Sequence, residues 1–271
     1  MINRMMGEVM MTDRDIAALD SFQLVPRLLH NVMQPDTRCS LLGAERTTPI
    51  VPLVEAGGVG LELPTLSLVD AEMLLRNRDS VDFSRVVPLL KCDKMGVLMP
   101  QVRKLAALGS PGFALDLTLL ADTPPYGAMG WHPKGREELA ELRAAAGLPL
   151  WLYGVGSVAD ADVATEAGLE GIVVNTDAAL YLGGPATLDI FPDIFDAVAG
   201  TIAVYAGGPV RSGLDVFRYL AVGAEAVVVD SDRALANLQA ELEYAMRLTG
   251  CATLADIGYE AVFAPLFGEV S

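Results

Sequence analysis

A chain of 271 residues that is 52% hydrophobic can bury a sizeable core, and α/β barrels of about 250 residues commonly fold as one domain. Its 35 acidic residues against 19 basic ones leave a net charge of −16, which repels phosphate backbones and anionic surfaces and argues against nucleic-acid or membrane partners. The three cysteines, Cys39, Cys92 and Cys251, are odd in number, far apart and without metal-ligand spacing, as expected of a reducing, cytoplasmic address and no metal site.

In chain order, the opening MINRMMGEVMMTDRDIAALDSF is interrupted by Arg4, Glu8, Asp13 and Arg14 and lacks the continuous apolar region of a signal peptide. No window approaches the roughly 20 apolar residues of a membrane span. QLVPRLL and CSLLGAE are expected to pair as a small antiparallel cap on the bottom of a barrel. TPIVPLVEAGG (48–58), SRVVPLLKC (84–92) and GFALDLTLLAD (112–122) read as strands, and KMGVLMPQVRKLAALG (94–109) as a helix despite Pro100. A further strand is placed in VGLELPTLSL (59–68). Only a few residues then separate it from the first, fewer than the dozen or so that a parallel crossover needs, so either a helix is shortened or missing after strand one or that strand is misplaced.

From Pro149 the rhythm is regular. PLWLYGV is followed by SVADADVATEAG, with Ser157 as N-cap and Gly168 as the stop. GIVVNT leads to TLDIFPDIFDAVAG, TIAVYAGG to SGLDVFRYLAVG, and AEAVVVDS to RALANLQAELEYAMRLTG. Successive βα units imply parallel strands with right-handed crossovers, and at this length a TIM (β/α)₈ barrel, with an open doubly wound sheet as the other arrangement. A single domain is expected: residues 1–47 as an N-terminal capping segment, 48–250 as the barrel and 251–271 as a tail.

Either architecture binds ligands at the carboxyl ends of its strands. After strand seven, AGGPVRSGLD combines two bare glycines, Gly207 and Gly208, a guanidinium fork at Arg211 and a helix N-terminus capped by Ser212, a combination suited to a phosphate; a plain tight turn with an exposed arginine is the bland alternative.

The run GIVVNTDAALYLGGPATLDIFPDIFDAVAGTIAVYAGGPVRSGLDVFRYLAVGAEAVVVDS, with ELEYAMRLTGCATLADI after it, resembles the C-terminal half of the FMN-dependent α-hydroxy-acid oxidase/dehydrogenase family. DSFQLVPRLLHNVMQPDTRCSLLGAERTTPIVPLV is similar to that family's N-terminal block, and together these cover well over half of the chain. The resemblance implies a TIM barrel, bound FMN, a small-molecule substrate, and a homo-oligomer or a hetero-oligomer with a related subunit. It also implies that Gly207, Gly208, Arg211 and Ser212 hold the phosphate with help from Arg233, and that Asp177, Tyr153 and Asp122 line the flavin face.

Several positions depart from the family pattern. Asp177 stands where the family has its histidine base, Leu180 where it has the substrate-binding arginine, and Tyr153 where it has the strand-five lysine. In the phosphate turn Ala206 replaces an aspartate and Pro209 is an added residue; beyond strand eight, DSD stands in place of the family's G-R and puts Asp230 and Asp232 near the expected phosphate, and no early tyrosine precedes Tyr126. A phenol carries no positive charge at pH 7, and a leucine cannot pair with a carboxylate. Three readings stand: an oxidoreductase with an altered site, a flavin-free barrel acting as a partner or scaffold subunit, and a cofactor-free lyase or isomerase using Asp177 or Asp122. His30 and His132 read as structural or exposed, and Glu55 as a rim acid or a new polar group of the site.

Overall fold

The computed structural model describes residues 13–54, 66–118, 132–178, 183–230 and 234–264. Eight parallel strands close a barrel: β4 (Ile50–Val54), β5 (Ser67–Asp70), β6 (Val86–Lys91), β7 (Phe113–Asp116), β8 (Leu150–Val155), β9 (Gly171–Val174), β10 (Ala203–Gly208) and β11 (Ala226–Val229). The first of these pairs with the last in register Val227↔Ile50, which completes the ring. The outer layer comprises α2 (Ala71–Arg76), α3 (Met95–Ala106), α4 (Arg136–Ala146), α5 (Val158–Glu166), α6 (Thr187–Val198), α7 (Gly213–Ala221) and α8 (Leu235–Thr249).

The strands are apolar on both faces because both are covered, and alternation divides the two cores. Val51, Leu68, Val87, Leu89, Val173 and Val228 fill the barrel, while their neighbours Ile50, Leu90, Ile172, Val204 and Val227 pack under the helices. Inside the barrel, Trp151 and Tyr205 meet with ring centroids 4.5 Å apart. Gly171 makes room for them, since a Cβ there would fall 2.1 Å from the Trp151 ring. Ser157 caps α5 by accepting from the Asp160 N–H at 3.1 Å, and Gly168 ends the unit with φ +72°, as read from the sequence.

Three expectations are corrected. The second barrel strand is described at Ser67–Asp70, so it runs beyond the end of the 59–68 window in which it was expected. Residues 55–65, on which the shortened-helix reading falls, lie outside the described residues. The fourth strand ends at Asp116, so it does not run to Asp122, which also lies outside them.

The third concerns the N-terminal segments, which do not pair with each other. β1 (Gln23–Leu24) joins β12 (Val262–Phe263) antiparallel, while β2 (Cys39–Leu41) folds back on β3 (Ala44–Arg46) in a hairpin. Its two-residue turn has positive φ at both Leu42 (51°) and Gly43 (71°), matching the twist of a tight hairpin. Leu41 is 1% exposed and packs on the barrel's inner core beside the start of β4, so the hairpin covers the floor. The helix of residues 13–21, α1, lies at the opposite end, the mouth.

Candidate active site at the barrel mouth

The inward parity of the strands continues at their carboxyl ends. Two residues beyond Ala114, Trp151, Val173 and Tyr205 stand Asp116, Tyr153, Asn175 and Gly207, so apolar filling gives way to polar groups in one layer. Asn175 Nδ2 donates to Tyr153 Oη at 3.3 Å, and its Oδ1 accepts from the Asp177 N–H at 2.8 Å. Asp116, 8% exposed, accepts from the Thr118 N–H at 2.9 Å and from its hydroxyl at 2.6 Å.

Burial pushes the Asp177 carboxyl up to about 6; the Asn175 bond and the Arg14 charge oppose the rise, and the charges of Asp15 and Asp116 add to it. Arg14 and Asp15 come from α1. Arg14 Nη2 donates to Thr176 Oγ1 at 2.9 Å and to Asp15 Oδ2 at 3.2 Å, and Nη1 to the Gly184 carbonyl at 2.9 Å. Asp15, 1% exposed, accepts from the Thr187 N–H at 2.9 Å, and burial raises its carboxyl too. Thr187 Oγ1 in turn accepts from the Thr176 N–H at 3.2 Å.

Arg211, after β10, is gripped by carboxylates. Nε donates to Asp215 Oδ2 and Nη2 to Asp215 Oδ1, both at 2.9 Å; Nη1 donates to Asp20 Oδ2 at 3.1 Å and Nη2 to Asp20 Oδ1 at 2.7 Å. These bonds, those to Asp215 first, raise the guanidinium above its ordinary value. Ser212 occupies the N-cap of α7, but no side-chain cap bond forms there, contrary to expectation; the Gly213 N–H donates instead to Glu241 Oε2 at 2.8 Å.

Tyr153, Asp177, Gly207 and Gly208 thus converge, with Arg211 and Ser212 on the turn beyond. Asp122, Arg233, Leu180, Glu55, Tyr126 and Asp232 lie outside the described residues. Asp116, Asn175, Arg14 and Asp15 were not read as site residues. Asp116 was hidden inside an apolar run, and the α1 pair touches the site only through contacts 162 to 172 residues long. His30 belongs elsewhere: its Nδ1 accepts from the Val32 N–H at 3.0 Å and its ring lies against Gly250. The described residues contain no group of His, Cys, Asp or Glu able to hold a metal, and no helix long and apolar enough to cross a membrane.

These residues fit FMN. A Cβ on Gly207 would come 3.0 Å from Val173 Cγ1 and 3.4 Å from the Tyr153 ring, and Gly208 has φ +149° with Tyr219 Oη 3.0 Å from where a Cβ would stand. Bare backbone is therefore required where a flavin would approach. Tyr153 and Asn175 offer hydrogen-bonding groups to a polar ring edge. The outer edge of Arg211 demonstrably takes an oxyanion, since it holds the Asp20 carboxylate through both oxygens.

Known proteins share this fold. A mandelate oxidase variant carrying an FMN adduct superposes with a TM-score of 0.72 over 93% of this chain and 90% of that one, at 20% identity, a likeness of fold. An L-lactate oxidase of Roseobacter sp. is 38% identical over 136 residues, 45% of this chain and 37% of that protein. A peroxisomal (S)-2-hydroxyacid oxidase of Arabidopsis thaliana is 30% identical over 78% of this chain and 58% of its own length, so the chain spans about a third to little more than half of these two relatives. Human 2-hydroxyacid oxidase 1 aligns at 26% identity over 88% of this chain and 84% of its own. FMN is the cofactor these findings carry. The model for FMN-dependent dehydrogenase matches residues 127–264, half of the sequence, and the chain belongs to that family.

Proposed function

We propose that this chain is an FMN-dependent oxidoreductase that oxidises the alcohol of a small 2-hydroxy acid or close analogue, with Asp177 as the proton acceptor. The supporting observation is a half-buried carboxylate just beyond the end of the sixth barrel strand, on a residue whose backbone N–H is tied to Asn175 Oδ1, and raised to about 6, a value that leaves it mostly ionised at pH 7 yet far more basic than an exposed aspartate.

FMN, when bound, supplies a two-electron acceptor for the hydrogen that leaves the substrate carbon as hydride. Gly207, Gly208 and Arg211 would hold it, the glycines through bare backbone and the arginine through its phosphate. Asp177 takes the hydroxyl proton as the carbonyl forms. Tyr153 and Asn175, held to each other by their mutual bond, would offer hydrogen bonds to a polar ring edge, without the positive charge a lysine would bring.

The purified protein is expected to carry flavin absorbance or to gain it with added FMN. Asp177→Asn is expected to keep the flavin and lose about 10²- to 10⁴-fold in kcat, as removal of a general base does. A colourless protein that FMN cannot reconstitute would refute the reading, and an Asp177→Asn variant with full turnover would refute the role of that residue.

A further inference from the structure

The two carboxylates on Arg211 differ in standing. Asp215 is fully buried and sits on α7 itself, four residues away, where besides the side chain of Arg211 it accepts from the Arg211 N–H at 2.9 Å and from Arg218 Nη1 at 2.7 Å. Removing that carboxylate would strand two cations, so it is a fixed anchor. Asp20 is 56% exposed, arrives from α1 at a separation of 191 residues, and presents two oxygens to the outer Nη1–Nη2 edge. An oxyanion on the exposed edge of an arginine, beyond the glycines of the seventh strand, has the geometry a phosphate would adopt. We propose that Asp20 occupies the place of the cofactor's phosphate, so that FMN must displace it from Arg211 and, in doing so, releases the end of α1 from the strand-seven turn.

This rests on the FMN reading given above. Its consequence is specific to α1, whose two ends are fastened differently. At the start, buried Asp15 and Arg14 tie the helix to Thr187, Thr176 and Gly184. At the end, Asp20 ties it to Arg211, and two residues on, the Phe22 carbonyl accepts from Arg218 Nε at 2.7 Å. Phosphate exchange removes only the Asp20 tie. The helix stays docked by Asp15, and Asp20 remains tethered close by as an intramolecular competitor whose effective concentration weakens cofactor binding. Asp20 therefore sets how tightly the chain holds FMN, independently of any role in turnover. The preference concerns the phosphate alone, so riboflavin, which has none, is indifferent to Asp20.

The test measures FMN and riboflavin affinity of the full chain by fluorescence quenching, with and without Asp20→Asn, and follows amide hydrogen exchange of residues 17–22. The expected result is FMN binding about 5-fold tighter in the variant, the scale of one exposed charge pair, with riboflavin affinity unchanged. In the wild-type chain, FMN or millimolar inorganic phosphate is expected to speed exchange over 17–22, and in the variant exchange is fast without either. FMN affinity equal or weaker in Asp20→Asn, or exchange in the wild-type chain that FMN and phosphate leave unmoved, would overturn the proposal and make Asp20 a support for Arg211. Absence of FMN binding to both proteins would instead remove the FMN reading, and this inference with it.

Discussion

Asp177 is where stability and chemistry oppose each other. Its carboxyl rises from 3.8 to about 6 chiefly because burial disfavours the charge, so the folded state prefers the protonated form. A group raised in this way supports folding fully below its unfolded value and loses that support as pH climbs through its folded one. The window is therefore pH 4 to 6, and above it the ionised carboxylate costs about 1–3 kcal/mol. Asp177→Asn carries no such charge. Its melting temperature is expected to exceed that of the wild-type chain at pH 7.5, with the difference closing below pH 4, in thermal melts run across that range. Activity runs the other way, because only the ionised form accepts a proton, and log kcat/KM is expected to fall on the acid side with a midpoint near 6. A midpoint near 4 would mean that the titrating group is an ordinary exposed carboxylate.

At the scale of the elements, α6 shows how a defect in one segment is repaired by another. Its N-cap is Ala186, which has no side-chain acceptor, and the helix relies on Asp189 for the Ala186 N–H at 3.3 Å and on Asp15 of α1 for the Thr187 N–H. Asp15→Ala would leave that buried N–H unpaired and Arg14 without its carboxylate. A loss of about 2–4 kcal/mol in denaturant midpoint studies is expected, with Asp15→Asn recovering part of it by keeping an acceptor; an unchanged midpoint would show that α1 does not brace α6. None of this was legible in a window of sequence. The last four strands and their helices were, because each apolar run there is closed by a glycine or a cap within a few residues, as at Ser157 and Gly168. The second strand was placed too early, because SLVD is a short apolar run with no glycine or cap before it to mark its start. The site was half legible for a related reason. Tyr153, Asp177, Gly207 and Gly208 sit at strand ends recognisable from local pattern, whereas Asp116 looks like part of an apolar run, and Arg14 becomes a site residue only through closure of the barrel.

For the whole molecule, the barrel separates its tasks along its axis: polar residues and the N-terminal helix gather at the mouth, and the hairpin plugs the floor. The two ends should therefore respond oppositely to substitution. Leu41 is buried against the inner core, and the hairpin that carries it turns through a left-handed Leu42, a strain kept only because the floor needs the plug. Leu41→Ala would open a cavity under the lowest layer, costing about 2–4 kcal/mol. The Trp151–Tyr205 layer stands between that cavity and the mouth, and close-packed layers of this kind resist continuous deformation. FMN content and the acid limb of the rate profile should thus be unchanged in Leu41→Ala well below its lowered melting temperature, while Asp177→Asn, at the other end, should melt higher and turn over slowly. Flavin lost from folded Leu41→Ala would mean that floor and mouth are mechanically one unit, and that the interior layers transmit strain along the axis.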